Sequence, residues 1–110
     1  MILLQDALDQ GLYQPLVDQL QKDFDRANIP ADFSVGSDAE ALLSALHEKV
    51  YVLIMERFTD FINLLYVVDV PEKAFKTIPP TDAVEVAGEA SFLVLDRERQ
   101  KVWMKRNHRQ

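Results

Sequence analysis

The chain has 110 residues, a formal net charge of −6, 48% apolar and 27% charged residues, and no cysteine. This size and composition are typical of one globular domain. They exclude a disordered chain, a disulfide scaffold and any site that needs a thiolate. We therefore expect a single domain over residues 1–110.

Secreted and membrane proteins are also disfavoured. The first six residues lack the basic leader and the long apolar core of a signal peptide. The most apolar stretch, residues 50–70, is interrupted by Glu56, Arg57 and Asp60, which a membrane span does not tolerate well. Together with the absence of cysteine, these features lead us to expect a soluble cytoplasmic protein that does not bind membranes.

The charge is divided unevenly along the chain. Residues 1–96 carry a net charge of −11, whereas residues 97–110 carry +5. An acidic body repels phosphate backbones, so nucleic acid is not an expected partner, despite Trp103 within the basic end. Cations near the C-terminal end of a helix also interact favourably with the helix dipole, so these basic residues do not require a ligand to explain them. Neutralisation of a basic protein partner is one hypothesis that this division leaves open.

Two helices are predicted before residue 30. Leu3, Leu4, Ala7 and Leu8 are spaced for a short helix that stops at Gly11. A second helix is expected from Pro15 to about Asn28, and its apolar stripe consists of Leu16, Val17, Leu20, Phe24 and Ala27. The intervening polar residues, including Asp23, are expected to face water.

Three capping boxes predict further helix starts. Ser37, Asp69 and Asp82 are each followed three residues later by a glutamate, an arrangement in which the two side chains satisfy exposed backbone N–H groups. In the second box, Glu72 and Lys76 are also spaced for an ion pair along a helix.

The longest predicted helical stretch covers residues 38–66, with a bend or break near residues 47–49. Its second half carries an apolar stripe at helical spacing: Val50, Ile54, Phe58, Phe61 and Leu65. We expect Phe58 and Phe61 both to be buried. The alternative is a buried strand near residues 50–55, where β-branched and aromatic residues are concentrated.

The last segment is predicted to form one helix from Asp82 to about Lys105 that tolerates Gly88. A hairpin over residues 92–104 is the alternative, but residues 96–100 contain neither glycine nor asparagine for a tight turn. The predicted fold class is therefore all-α, a compact bundle of four to five helices. An α/β fold with strands near 50–55 and 92–104 is the alternative.

Two short motifs resemble those of small helical bacterial proteins of uncharacterised function. They are the run from Leu64-Leu65-Tyr66 into Asp69-Val70-Pro71-Glu72, and the run Asp96-Arg97-Glu98-Arg99-Gln100-Lys101-Val102. The resemblance covers the C-terminal half of the chain. It implies a helical fold and transfers neither an activity nor catalytic residues.

No catalytic, cofactor or metal motif is predicted. His47 and His108 are the only histidines, and no second ligand stands at helical spacing from either. His47 is interpreted as a surface or junction residue. The acidic residues at 82, 85, 89 and 96 share a helical face and are interpreted as solvated, because acid–base chemistry needs a carboxyl group with a raised pKa.

The remaining signal is an excess of apolar surface on two predicted helices. Segments 50–66 and 83–95 carry wider apolar faces than a small monomer needs, which favours burial against another subunit. The candidate interface residues are Phe92, Leu95, Val102, Trp103, Met55 and Tyr66. We therefore expect a non-enzymatic protein that acts through protein–protein association, with itself as a homodimer and with a further protein as a second option. A small enzyme or ligand-binding domain with an unrecognised site is the alternative.

Overall fold

The computed structural model of the chain describes residues 11–33, 38–79 and 82–107. The described residues form five helices: α1 (Tyr13–Arg26), α2 (Ala39–Glu56), α3 (Phe58–Val68), α4 (Glu72–Phe75) and α5 (Ala83–Asn107). Helices account for 79% of these residues, and no strand occurs among them. The all-α prediction is confirmed, and both strand alternatives are wrong because residues 50–55 and 92–104 are helical. The predicted N-terminal helix lies outside the described residues.

The longest helix, α5, is the centre of the bundle and packs against the other four. Its inner face places small and branched side chains against α2: Ala87, Ala90, Ser91, Val94 and Leu95 are buried. Large side chains from α1, α2 and α3 complete the core, and the fully buried ones are Leu16, Leu20, Phe24, Leu46, Val50, Leu64, Leu65 and Val68. Gly88 is accommodated within this single helix, as predicted.

Helix α1 ends close to its predicted boundary. Asn28 adopts the left-handed conformation (φ 64°), and the backbone N–H of Ile29 donates to the carbonyl of Phe24 at 3.0 Å. This arrangement satisfies helix carbonyls that would otherwise lack donors. Pro30 then prevents continuation.

The predicted break in the long central helix is in the wrong place. Residues 47–49 are helical, and the chain instead leaves the helical conformation at Arg57 (φ −143°, ψ 59°). The predicted apolar stripe over residues 50–65 therefore spans two separate helices, and helical spacing cannot be continued across the turn between them. Phe61 is buried at 5% exposure, whereas Phe58 is 57% exposed, so only one of the two predicted aromatic core residues is confirmed.

The three capping boxes have different outcomes. The Asp82 carboxylate accepts a hydrogen bond from the N–H of Glu85 at 2.9 Å, as predicted. Helix α2 is capped by Asp38, which accepts from Ala41 at 2.7 Å, while Ser37 lies outside the described residues. Asp69 does not cap α4. It ends α3 in the left-handed conformation (φ 74°).

The predicted ion pair of the second box is present, with Lys76 Nζ 2.6 Å from Glu72 Oε1. Asp69 makes a different interaction. Its carboxylate and its backbone carbonyl both accept hydrogen bonds from the Arg97 guanidinium, at 2.8 and 2.9 Å. A local capping pattern was therefore outweighed by a tertiary contact between the end of α3 and α5.

Candidate functional site

A buried charge cluster joins α1, α3 and α5. Asp23 of α1 and Glu98 of α5 are fully buried, and Lys101 lies between them with its side chain partly exposed. The Lys101 ammonium donates to the Asp23 carboxylate and to the carbonyl of Val68, the latter at 2.8 Å. It also lies 2.8 Å from Glu98 Oε1. One lysine thus connects three helices through two carboxylates and a carbonyl at the end of α3.

Asp23 has further polar neighbours on its own helix. The Gln19 side-chain amide donates to Asp23 Oδ1 at 3.2 Å, and Arg26 Nη1 lies 3.7 Å from the same oxygen. Glu98 is less well satisfied, because neither of its oxygens accepts a well-directed hydrogen bond among the described residues. A buried carboxylate without such partners is costly to ionise.

Burial therefore raises the pKa of Glu98 to about 8. The nearby Asp23 acts in the same direction, through a hydrogen bond that the protonated form can donate and through repulsion of the charged form, while Lys101 acts against both. With the proton on Glu98, the cluster pairs one carboxylate with one ammonium and carries no net charge. Protonation of Glu98 near neutral pH is thus the favoured state of the folded chain.

The sequence interpretation of this cluster was wrong. The prediction that Asp23 faces water is wrong, because this residue is fully buried. Glu98 is also fully buried, although it lies within the basic end of the chain. A signal was present, since Glu98 stands four residues from both Val94 and Val102, on the buried stripe of α5. A charged residue on an apolar stripe indicates a buried polar partner, and here the partners are Asp23 on α1 and Lys101 on α5 itself.

The cluster is poorly placed for acid–base catalysis. Glu98 is fully buried, and neither carboxylate lines the two clefts described below, whereas a general acid must reach its substrate. Within residues 11–33, 38–79 and 82–107, no group of three His, Cys, Asp or Glu residues could hold a metal ion. The geometry therefore indicates a structural role in fixing α1 and α3 on α5.

The histidine and acidic-face interpretations agree with the structure where it describes them. His47 lies at a helix junction, with Nε2 3.2 Å from the carbonyl of Val84, and His108 lies outside the described residues. On the acidic face of α5, Glu85 and Glu89 are exposed, and Asp96 is paired with Arg99 at 3.0 Å.

Four of the six candidate interface residues are exposed and two are not. Phe92 is 48% and Trp103 46% exposed on α5, and Met55 and Tyr66 are exposed on α2 and α3. Leu95 and Val102 are buried in the core, which corrects their assignment to a surface. Both residues belong to the core cluster of the bundle, so they extend the inner apolar stripe of α5 instead of widening it outward.

A second apolar surface lies between α3, α4 and the start of α5. It forms a cleft of about 440 Å³, and Lys76 is the only charged residue among the described residues that line it. The apolar lining consists of Ile54, Phe58, Phe61, Ile62, Leu65, Phe75, Ile78, Pro79, Ala83 and Val86. Ligand sites of this size use several converging polar groups to orient the bound molecule, and Lys76 is already paired with Glu72. The cleft is therefore a weaker argument for ligand binding than its volume suggests.

A second cleft, of about 590 Å³, lies between α1 and the end of α5. Its wall includes three cations and one carboxylate, and its lining residues are Gly11, Leu12, Pro15, Asp18, Gln19, Lys22, Val102, Lys105 and Arg106. The basic end of α5 thus lies beside α1.

Comparison of the chain with protein families, curated proteins and solved structures finds no match. The resemblance drawn from the two sequence motifs stays a prediction. No helix among the described residues combines the length and the apolar character needed to cross a membrane.

Proposed function

We propose that this chain acts without catalysis, through protein–protein association, and that a second copy of itself is its first partner. The observation that carries the proposal is the position of Phe92 and Trp103. Both are large aromatic side chains that lie about half exposed on the same helix, α5. They are eleven residues apart, which at about 100° per residue places them within ~20° of each other around the helix.

Aromatic residues at such positions are typical of interface cores. Tryptophan and tyrosine dominate the binding free energy of many interfaces, and buried aromatic pairs contribute more than their area alone. Helix α5 needs neither side chain for its own packing, since its inner face already fills the core with Ala90, Val94 and Leu95. The exposed aromatic surface is available for a partner.

The proposal is tested by sedimentation equilibrium from about 1 µM to about 1 mM, a range that covers weak to moderate affinities. We expect a monomer–dimer equilibrium for the native chain and a monomer for the double variant Phe92→Ala/Trp103→Ala. Tyr66→Ala is the control, because Tyr66 is more exposed than either residue but lies on α3, so an interface confined to α5 leaves this candidate residue out. It is expected to leave the equilibrium unchanged.

Salt separates two mechanisms of association. If apolar burial dominates, the dimer persists at about 0.5 M salt, where exposed charges are largely screened. A native chain that stays monomeric at every concentration would overturn the proposal. A dimer that is lost only at high salt would support the proposed association, but it would overturn the apolar mechanism.

A further inference from the structure

Six residues of α5 form a continuous exposed stripe. At about 100° per residue they span an arc of ~100° around the helix. We call them the α5 stripe, and in chain order they are Glu89, Phe92, Asp96, Arg99, Trp103 and Arg106. The four outer members are exposed and the two central ones partly so. The order is acid, aromatic, acid, base, aromatic, base.

This order is complementary to its own reverse. When the α5 stripe is turned end to end, Glu89 faces Arg106, Phe92 faces Trp103, and Asp96 faces Arg99. All three pairs share one midpoint, between residues 97 and 98. Each acid meets a base and each aromatic ring meets another at a single register.

We propose that two copies of the chain pair through the α5 stripe in an antiparallel arrangement, around a two-fold axis at the level of residues 97–98. This inference rests on the proposed self-association and specifies its geometry. A two-fold axis makes every contact occur twice, so one register yields two aromatic pairs and four ion pairs. The helix axes would lie about 8–10 Å apart, as in other helix packings.

Other arrangements of the same two stripes are less favourable. A parallel pair would set the acidic residues of one copy against the acidic residues of the other, and the basic residues likewise. An antiparallel pair shifted by seven residues would set Phe92 against the partner's Asp96 and break both aromatic pairs. The pattern therefore favours one antiparallel register by attraction, while like charges disfavour the parallel arrangement and lost aromatic pairs disfavour the shifted one.

The central ion pair is compatible with the contacts seen within one copy. Arg99 Nη2 lies 3.0 Å from Asp96 Oδ1 on the same helix, and the Gln100 amide donates to Asp96 Oδ2 at 3.2 Å. A guanidinium group has five donors and a carboxylate accepts about four hydrogen bonds. Arg99 and Asp96 can therefore each reach a further partner without losing the contacts they already make. The outer pair is expected to contribute less, because Arg106 also lines the second cleft, beside Gly11.

The first test uses two charge reversals, Asp96→Arg and Arg99→Asp. In the proposed register each variant brings like charges together twice, so we expect its dimer to dissociate about tenfold more readily than the native dimer, or worse. An equimolar mixture places the arginines of one variant against the aspartates of the other. We therefore expect the mixture to form a heterodimer with close to the native dissociation constant.

The mixture separates an interface from a role within one copy. Both variants lose the Asp96–Arg99 pair of their own helix, and mixing cannot restore it. If the two variants weaken the dimer but do not associate with each other, the proposed register is wrong. A native chain that is monomeric under the same conditions would instead overturn the proposed function itself, so the two failures are distinguishable.

The second test uses the absence of cysteine from the chain. Glu89→Cys mixed with Arg106→Cys is expected to form a disulfide between the two variants, while neither variant forms one alone. Glu85→Cys is the register control, because it lies on the same helix face one turn away, about 6 Å along the axis. It is expected to cross-link poorly with Arg106→Cys. A disulfide between two copies of Glu89→Cys, or equal cross-linking of both pairs, would overturn the antiparallel register.

Discussion

Replacement of Glu98 by glutamine provides the sharpest test of the buried charge cluster. The substitution keeps the size of the side chain and removes its titration. In the folded chain the pKa of Glu98 is about 8, against an ordinary value of 4.5. The folded state thus binds this proton more tightly than the unfolded state does. The resulting stability is fully present below about pH 4.5 and is lost as the pH rises through about 8.

The magnitude follows from the same two values. One pKa unit corresponds to about 1.4 kcal/mol, so the interval between 4.5 and about 8 amounts to at most ~5 kcal/mol. That is a large share of the ~5–15 kcal/mol that stabilises an ordinary domain. The native chain should therefore lose several kcal/mol of unfolding free energy between pH 5 and pH 8.5 through this one group, and the Glu98→Gln variant should not.

The assay is urea denaturation followed by circular dichroism at intervals from pH 5 to pH 9. Other groups also titrate in this range, so the informative quantity is the difference between native chain and variant at each pH. We expect Glu98→Gln to gain stability relative to the native chain as the pH rises. Glu85→Gln removes an equal charge from an exposed position of α5 outside the α5 stripe and is expected to follow the native curve.

Parallel curves for the native chain and Glu98→Gln over the whole range would refute the reasoning. That result would mean that Glu98 is ionised in the folded state at pH 5, and that Lys101 outweighs burial and Asp23. A constant offset between parallel curves would measure only the packing cost of the amide.

Two further predictions concern stability at neutral pH. Lys101→Met keeps the aliphatic length but leaves the buried Asp23 without its ammonium partner, so we expect a loss of about 3–5 kcal/mol in urea denaturation. A change below about 1 kcal/mol, the range of exposed ion pairs, would show that water replaces the lysine. Phe61→Ala is expected to cost about 3–5 kcal/mol and Phe58→Ala less than about 1 kcal/mol, because Phe61 is buried and Phe58 is 57% exposed. Equal shifts of the thermal midpoint would contradict the placement of the turn at Arg57.

The fold class could be predicted because helical periodicity and capping are local properties. Asp82 and the stripe from Ala83 onward are sufficient to start and orient α5, and Pro30 is sufficient to stop the chain after α1. The position of the break at Arg57 could not be predicted in this way. Arginine is a good helix former and residues 56–58 contain neither glycine nor proline, so no local signal marks the break.

The buried cluster depends on contacts that no local pattern contains. Asp23 and Lys101 are 78 residues apart, and each is an ordinary exposed residue type in its own segment. Their burial follows from how α1 and α5 cross. The error in the candidate interface has the same cause. In the sequence Leu95 and Val102 look like surplus apolar residues, because the residues of other helices that cover them are not known.

The charge order along α5 has two physical explanations, and they predict different results. Acidic residues near the start of a helix and basic residues near its end favour the helix dipole in any monomer, by about 0.3–1 kcal/mol each. Glu89 lies beyond the first turn of α5, so that effect accounts only for Arg106 in the last turn. It does not account for Phe92 and Trp103, which are placed at equal distances from the midpoint that the charges share. If the charge order reflects only interactions within one copy, such as the Asp96–Arg99 pair, the Asp96→Arg and Arg99→Asp variants should each lose helix stability and gain nothing on mixing. If the stripe is an interface, their mixture should associate more tightly than either variant does alone.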